Sequence, residues 1–272
     1  MYRHGIFNDL SNNDYHSDPA ISRSGVMMFA DSPYKYWANY LNPNRPIKKS
    51  TDAMDLGSAF HTLILEPLLF QQLYFIKPTR VYLKYDGKDK YESYKRVCEK
   101  LENSDFMIIE NEDYEKLLGM QRALKSHKEA WELIQNAKYE QSYFWEDKES
   151  GMLCKARPDI LHDNMIIDLK TCASASSRAY QRAMVDGGYH VQGAIIREAV
   201  REIEGNDIPN VINICIEKTY PYAIGIKIIS ESALDAGLMK FRSVLVDLKR
   251  CMADNSWNDY QPETVDLPGW AT

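Results

Sequence analysis

The stretch Leu153-Cys154-Lys155-Ala156-Arg157-Pro158-Asp159-Ile160-Leu161-His162-Asp163-Asn164-Met165-Ile166-Ile167-Asp168-Leu169-Lys170 decides the fold. Apolar, β-prone residues flank His162-Asp163-Asn164, a set of turn formers, so the segment predicts strand, tight turn, strand. Three strands are expected here as a meander: Glu140–Trp145, then Met152–Leu161 interrupted at Pro158, then Met165–Lys170, with Asp147–Gly151 turning between the first two. Side chains two apart on a strand point the same way, so Asp168 and Lys170 share a face. The turn folds Asp159 back beside them. Two carboxylates and one ammonium converging at strand ends suit divalent-metal chemistry, in which carboxylate oxygens hold the ion and the ion polarises a phosphate. A nearby lysine can orient or deprotonate an attacking water and offset developing charge. An Asp-x-Lys at a strand end also arises by chance, so the rest of the chain has to bear on it.

Upstream, TDAMDLGSAFHTLILEP predicts a helix, with Leu56, Phe60, Leu63 and Ile64 at helical spacing, Thr51 or Asp52 as cap and Pro67 as stop. Segment 11–43 reads as turns around one short helix, with Ser22 or Ser24 as cap and Pro33 as an interruption. Short strands are expected near Leu73–Lys77 and Phe106–Ile109, and one long or broken helix across 111–136. Downstream, helices are expected at about 176–186 and 189–204, separated by Gly187-Gly188, then strands Val211–Glu217 and Ala223–Ile229 and a helix across about 231–253. The sum is an α/β fold with a mixed sheet and helices on both faces.

At 272 residues, with 44% hydrophobic and 26% charged residues, the chain suits one sizeable α/β domain and not a disordered, collagenous or coiled-coil protein. No apolar run approaches the roughly 18 residues needed to span a bilayer, and the first residues lack a signal peptide's apolar centre. A cytoplasmic location and no membrane partner are therefore expected. Cys98, Cys154, Cys172, Cys215 and Cys251 are scattered, with no C-x-x-C pair, which predicts reduced thiols. The net charge of −6 argues against a basic nucleic-acid coat, but it is uneven: +4 over 77–100, −6 over 101–149 and −4 over 254–272. Basic segments turned toward a cleft, Lys84–Lys100 and Arg178–Arg201, are expected to face the site.

Pro158-Asp159 followed by Asp168-Leu169-Lys170 forms a PD-(D/E)-x-K pattern and resembles the signature of a large nuclease superfamily. Gly57-Ser58-Ala59-Phe60-His61 resembles the Gly-x-x-x-His helix of its RecB-like branch, and Tyr189-His190-Val191-Gln192 resembles the Tyr-x-x-Gln helix that follows the active-site strands there. Tyr15-His16, Ser22-Arg23-Ser24, Ser32-Pro33-Tyr34 and the ending Leu267-Pro268-Gly269-Trp270-Ala271 resemble RecE-type (exodeoxyribonuclease VIII) nuclease domains, in order along nearly the whole chain. The resemblance implies a restriction-endonuclease-like fold in a single domain, 1–272, in which the residues mark an irregular or helical extension over 1–50 and an acidic tail over 254–272. It further implies a processive 5′→3′ exonuclease on double-stranded DNA ends that leaves 3′ single-stranded tails, a toroidal homotetramer, and a RecT-like annealing partner. Carried over residue by residue, His61, Asp159, Asp168 and the Leu169 carbonyl match metal ligands, Lys170 the catalytic lysine, and Tyr189 and Gln192 the motif that supports the site and touches the DNA strand.

Some RecB-like nucleases hold an iron–sulfur cluster with one early cysteine and a C-terminal cysteine group. Only Cys251 lies near this C-terminus, so no cluster is expected. Mg²⁺ is the expected ion, with Mn²⁺ tolerated because imidazole is a poor Mg²⁺ ligand. Gly57 and His61, four apart, share a helix face. Glu140 opens the first strand of the meander, where it is either a third carboxylate near the metal or an exposed strand-end residue. Ser174, Ser177 and Arg178 lie at a strand-to-helix junction suited to a phosphate, although plain N-capping needs only one serine there. Arg157 is placed to reach a terminal phosphate or to pair with a carboxylate. Tyr82, Tyr85, Tyr91 and Tyr94 lie among lysines, a pattern that can track a strand but equally marks a solvated loop. Two other readings remain: a structure-selective endonuclease of the same fold, and a catalytically silent DNA-binding recombination subunit.

Overall fold

A computed structural model describes residues 4–46, 56–77, 99 and 106–266. Thr51, Asp52, Cys98, the tyrosines and lysines of 82–96 together with Lys84 and Lys100, and the ending 267–271 lie outside the described residues. Strand β8 (Met165–Cys172) is central to a five-stranded sheet ordered β10-β9-β8-β7-β4, built with β4 (Lys138–Tyr139), β7 (Ile160–His162), β9 (Asn210–Glu217) and β10 (Ile224–Ile228). β7 returns antiparallel onto β8 through the Asp163-Asn164 turn, as the turn residues predict. β8 and β9 run parallel, and two helices carry the crossover that a parallel pair needs: α8 (Ser177–Asp186) and α9 (Tyr189–Glu204).

The pleat of β8 sends neighbouring residues to opposite faces. Ile167 and Leu169 join Ile212, Ile214 and Ile216 in a core against α4 (Leu56–Leu65), α6 (Asn111–Ser126) and α7 (Lys128–Ile134). Ile166 packs the other way, against α2 (Arg23–Asp31), α9 and α10 (Glu231–Asp254). Each fully buried Ile or Leu contributes about 1.5–3 kcal/mol, so both faces of the sheet are anchored and the two polar positions between them, Asp168 and Lys170, are held in fixed register. Arg242 of α10 reinforces this by pairing with Asp147 in the 147–151 turn and with Glu198 of α9.

The expected three-strand meander is corrected. Glu140 adopts a left-handed φ of 50°, which ends β4 and starts a separate strand, β5 (Ser142–Glu146). Likewise the bend over Arg157–Asp159, where Pro158 has no N–H for a ladder, splits β6 (Leu153–Ala156) from β7. β5 and β6 therefore leave the main sheet and pair in a three-stranded one ordered β1-β5-β6, with β1 (Gly5–Phe7). The N-terminal expectation also changes: α1 (Asn12–Ser17), α2, α3 (Pro33–Tyr36) and a π-helical turn (Trp37–Leu41) replace one short helix. Ser11 and Ser32 accept hydrogen bonds from Asp14 N and Lys35 N as caps, and Pro33 starts α3 at the position where a missing N–H costs nothing. The other expected helices are present, the 111–136 span breaking at His127, but α5 (Pro67–Leu73) was not expected: Pro67 ends α4 as read and then starts this further helix at its first position. β2 (Tyr74–Ile76) and β3 (Met107–Ile109) form a separate parallel pair.

Candidate active site

One cleft of about 610 Å³ opens beside β8 and is lined by His61, Glu140, Asp159, Leu169, Lys170 and Gln192 among others. His61 comes from the middle of α4 and is partly exposed, while Ala59, Phe60 and Leu65 of the same helix are buried. Asp159 sits just before β7, where its carboxylate accepts the Leu169 amide at 2.8 Å. The Asp159 carbonyl accepts the Glu140 amide at 3.2 Å, which brings β4's last turn over the same spot. The left-handed backbone of Glu140 is a strained state for a non-glycine residue, worth about 1–3 kcal/mol, and it aims the side chain into the cleft.

The result is a trio. Donor atoms of His61, Glu140 and Asp159 all lie within 4.8 Å of one another, and His61 Nδ1 is 3.4 Å from Asp159 Oδ2. Burial raises both carboxyls above their ordinary range, and each is raised further by a neighbouring carboxylate, Asp159 acting on Glu140 and Asp168 on Asp159. One imidazole nitrogen and two crowded carboxylates fit a divalent cation, which would relieve the like-charge repulsion.

Next to the trio, on the α9 side of β8, the polar groups satisfy one another. Gln192 donates from Nε2 to Asp168 Oδ1 at 2.7 Å and accepts from Lys170 Nζ at 3.0 Å, while Lys170 Nζ lies 2.5 Å from Asp168 Oδ2. Burial pulls the Lys170 pKa down, but Asp168 and Asp159 more than offset this and hold it above the usual lysine range. The Tyr189 ring lies 4.9 Å from the same ammonium. Gly188 makes this arrangement reachable: it holds φ 63° at the start of α9, and a Cβ there would lie 2.5 Å from the Met27 sulfur.

Asp168, expected as a metal ligand, lies close enough to the trio for its charge to raise both the Asp159 and the Glu140 carboxyl, and here it meets Lys170 and Gln192, while Glu140 stands with His61 and Asp159. Leu169 lines the cleft and gives its amide to Asp159. Arg157 also lines the cleft, yet its donors go to Ser142 Oγ at 2.8 Å, Asn12 Oδ1 at 2.7 Å and the Leu10 carbonyl at 2.9 Å, and it stacks over Tyr15. Ser174, Ser177 and Arg178 do not line the cleft. Ser176 is the cap of α8, Ser174 donates to it, and Ser177 accepts from Lys227. The expectation that Arg178–Arg201 face the site is corrected: none of the arginines of this stretch lines the cleft, and on α9 Arg197 pairs with Glu231 and Arg201 with Glu198. Positive charge in the cleft comes instead from Arg23, Lys155, Arg157 and Lys170. Glu66, Arg23 and Lys155 were given no site role by the sequence. Glu66 had a faint signal, a carboxylate five residues after His61 at the end of the same helix.

The PDDEXK-like domain of unknown function (DUF3799) matches residues 22–267. No curated protein sequence matches the chain. The crystal structure of a "Putative exonuclease" from Eubacterium rectale superposes with a TM-score of 0.60 at 15% identity, over 94% of this chain and 96% of that one. SSO0001 superposes with a TM-score of only 0.31 at 18% identity, over 73% of this chain and 86% of its own, too slight a likeness to bear on the fold. The mixed sheet flanked by helices is accordingly the restriction-endonuclease-like α/β fold. The chain belongs to the PDDEXK-like domain family and so to the PD-(D/E)-x-K superfamily.

Proposed function

We propose that the protein is a metal-dependent nuclease that hydrolyses DNA phosphodiester bonds from duplex ends. One observation carries this reading: His61, Glu140 and Asp159 converge in the cleft that also receives Lys170. A divalent cation held by the trio, Mg²⁺ or Mn²⁺, would polarise the scissile phosphate and lower the pKa of a bound water. Lys170, fixed by Asp168 and Gln192, presents an ammonium that orients the nucleophile and offsets charge building on the phosphorus oxygens. Asp159, anchored by the Leu169 amide, cannot swing away, and Gln192 keeps the lysine and its carboxylate in register.

The finer reading is 5′→3′ polarity, processivity, 3′ single-stranded tails, a toroidal homotetramer and an annealing partner of the RecT kind. It is supported by the RecE-type resemblance of Tyr15-His16, Ser22-Arg23-Ser24, Ser32-Pro33-Tyr34 and the ending Leu267-Pro268-Gly269-Trp270-Ala271. Linear and covalently closed circular duplex, each incubated with Mg²⁺ and with EDTA, test the core claim. Metal-dependent loss of the linear form alone is expected. Cutting of closed circles would convert the assignment to an endonuclease, and digestion of neither would favour a silent DNA-binding subunit. End-labelled linear substrates then give the polarity.

A further inference from the structure

Next to the cleft, α3 and the π-helical turn build an aromatic surface. Tyr34 stacks on Trp37, with centroids 5.8 Å apart and planes 25° apart. Tyr36 stacks on both Tyr40, at 4.9 Å, and Trp257 from the chain's last described segment, at 6.4 Å. Tyr36 is buried, so the stack is fixed from within, whereas Tyr34 and Tyr40 keep 44% and 38% of their surface exposed. Two large aromatic rings held open on a fixed base are unusual for a surface that only has to be soluble. Single-turn π elements often sit at functional sites, and this one turns Tyr40 outward where an α-helical turn would place it differently.

Arg23 links this surface to the cleft. The surface lies in the chain between two cleft walls, Ser22–Ser24 and Gly57–His61. Arg23 itself lines the cleft, and its charge acts on both Lys170 and the Tyr40 phenol. Arg45 adds a second exposed cation, its guanidinium donating to the Tyr40 carbonyl at 3.0 Å. Two carboxylates lie at this surface: Asp31 is occupied by Lys35 at 2.6 Å and by the Tyr260 hydroxyl at 3.0 Å, and Asp259 accepts from Ser32 Oγ at 3.4 Å and from the Tyr260 amide at 2.9 Å. Open ring faces flanked by arginines, leading away from a phosphodiester-binding cleft, are the chemistry that holds single-stranded nucleic acid through its bases.

We infer that Tyr34 and Tyr40, with Arg23 and Arg45, form a stacking shelf for a single-stranded segment of DNA adjoining the duplex in the cleft. The inference rests on the nuclease reading. Duplex itself hides its base faces, so the shelf favours ends whose strands are already parted, whichever strand projects.

The test is fluorescence anisotropy with the full chain in EDTA, so that no cleavage occurs. The probes are a labelled blunt duplex and the same duplex with a short overhang of either polarity. The wild type is expected to bind one or both overhang duplexes more tightly than the blunt one. Tyr40→Ala and Tyr34→Ala should each cut that gain by about fivefold or more, while Tyr40→Phe, which keeps the ring, retains it. If Tyr40→Ala melts early, the more exposed Tyr34→Ala still decides. An undiminished overhang gain in the alanine variants overturns the shelf, as does a Tyr40→Phe loss equal to that of Tyr40→Ala. So does a concentration-dependent self-association abolished by Tyr40→Ala, which would assign the rings to a second copy. Blunt duplex bound with no gain from an overhang sinks the shelf alone; no binding to any duplex sinks the nuclease reading with it.

Discussion

The two halves of the site sit side by side and are built on opposite principles. On the α9 side, Asp168, Lys170 and Gln192 form a closed set in which each polar group has a partner within the chain. On the α4 side, His61, Glu140 and Asp159 gather two half-buried carboxyls and one imidazole with too little positive charge among them. The first half has an ammonium to balance its carboxylate, although Asp168 Oδ2 is met by the Lys170 charge alone and accepts no hydrogen bond of good geometry. The second stores repulsion that a cation removes. On the proposed reading, metal affinity would rest mainly on one half and the positioning of charge on the phosphate on the other, and substitutions should separate them.

The largest effect is expected on the closed half. Lys170→Ala should lower Mg²⁺-dependent digestion of linear duplex by about a thousandfold, with duplex binding in EDTA retained; turnover near wild type would remove Lys170 from the chemistry. On the open half, Glu140→Gln keeps the shape and removes one of the crowded charges. In EDTA it should melt no lower than the wild type, yet gain nothing from added Mn²⁺. The wild type should gain about 2.7 kcal/mol at a hundredfold excess over Kd. Equal Mn²⁺ stabilisation of both proteins would place the ion elsewhere. A smaller effect tests the support of the closed half. Gly188→Ala meets Met27 and a left-handed φ, so urea unfolding should report a loss of about 1–3 kcal/mol, with Gln192 and Tyr189 displaced along with the start of α9.

Local residue chemistry made the closed half legible in the sequence. The His162-Asp163-Asn164 turn fixes the β7–β8 hairpin, and the two-residue period of a strand then puts Asp168 and Lys170 on one face without any tertiary information. Gly187-Gly188 marked the helix break just as locally. The open half was less readable, because Glu140 reaches the site only through a left-handed kink that ends a strand in favour of another sheet. Alternation across Glu140–Trp145 suggested one strand, and nothing in the side chains announces where it divides. The arginines of α8 and α9 misled for a related reason. Charge counted along a chain says nothing of which helix face each residue takes, and Glu198 and Glu231 claim Arg201 and Arg197. The N-terminal helices, read as turns around a single short helix, are held by long-range packing of Val26, Phe29 and Tyr36 that no local propensity records.

The smallest predicted effect compares two buried lysines of the same cleft. Lys170 has carboxylates beside it and is held above the ordinary lysine range. Lys155 on β6, 4% exposed, instead donates to two neutral backbone carbonyls, Tyr15 O at 2.5 Å and Asp18 O at 2.7 Å. Dipoles compensate a buried charge less well than carboxylates do, and burial brings its pKa from 10.5 to about 8. Between those values the unfolded chain binds a proton that the folded chain has released, so stability must rise with pH across that window. Below about 8 the ammonium is charged in both states and its burial cost is fully present. The unfolding free energy of the wild type relative to Lys155→Met should therefore climb from about pH 8 toward 10.5, and Lys170→Ala should keep the same climb, since Lys170 holds its proton throughout that range. A flat difference in urea unfolding across this window would mean that the two carbonyls and the Tyr15 ring compensate the Lys155 charge as fully as Asp168 compensates Lys170.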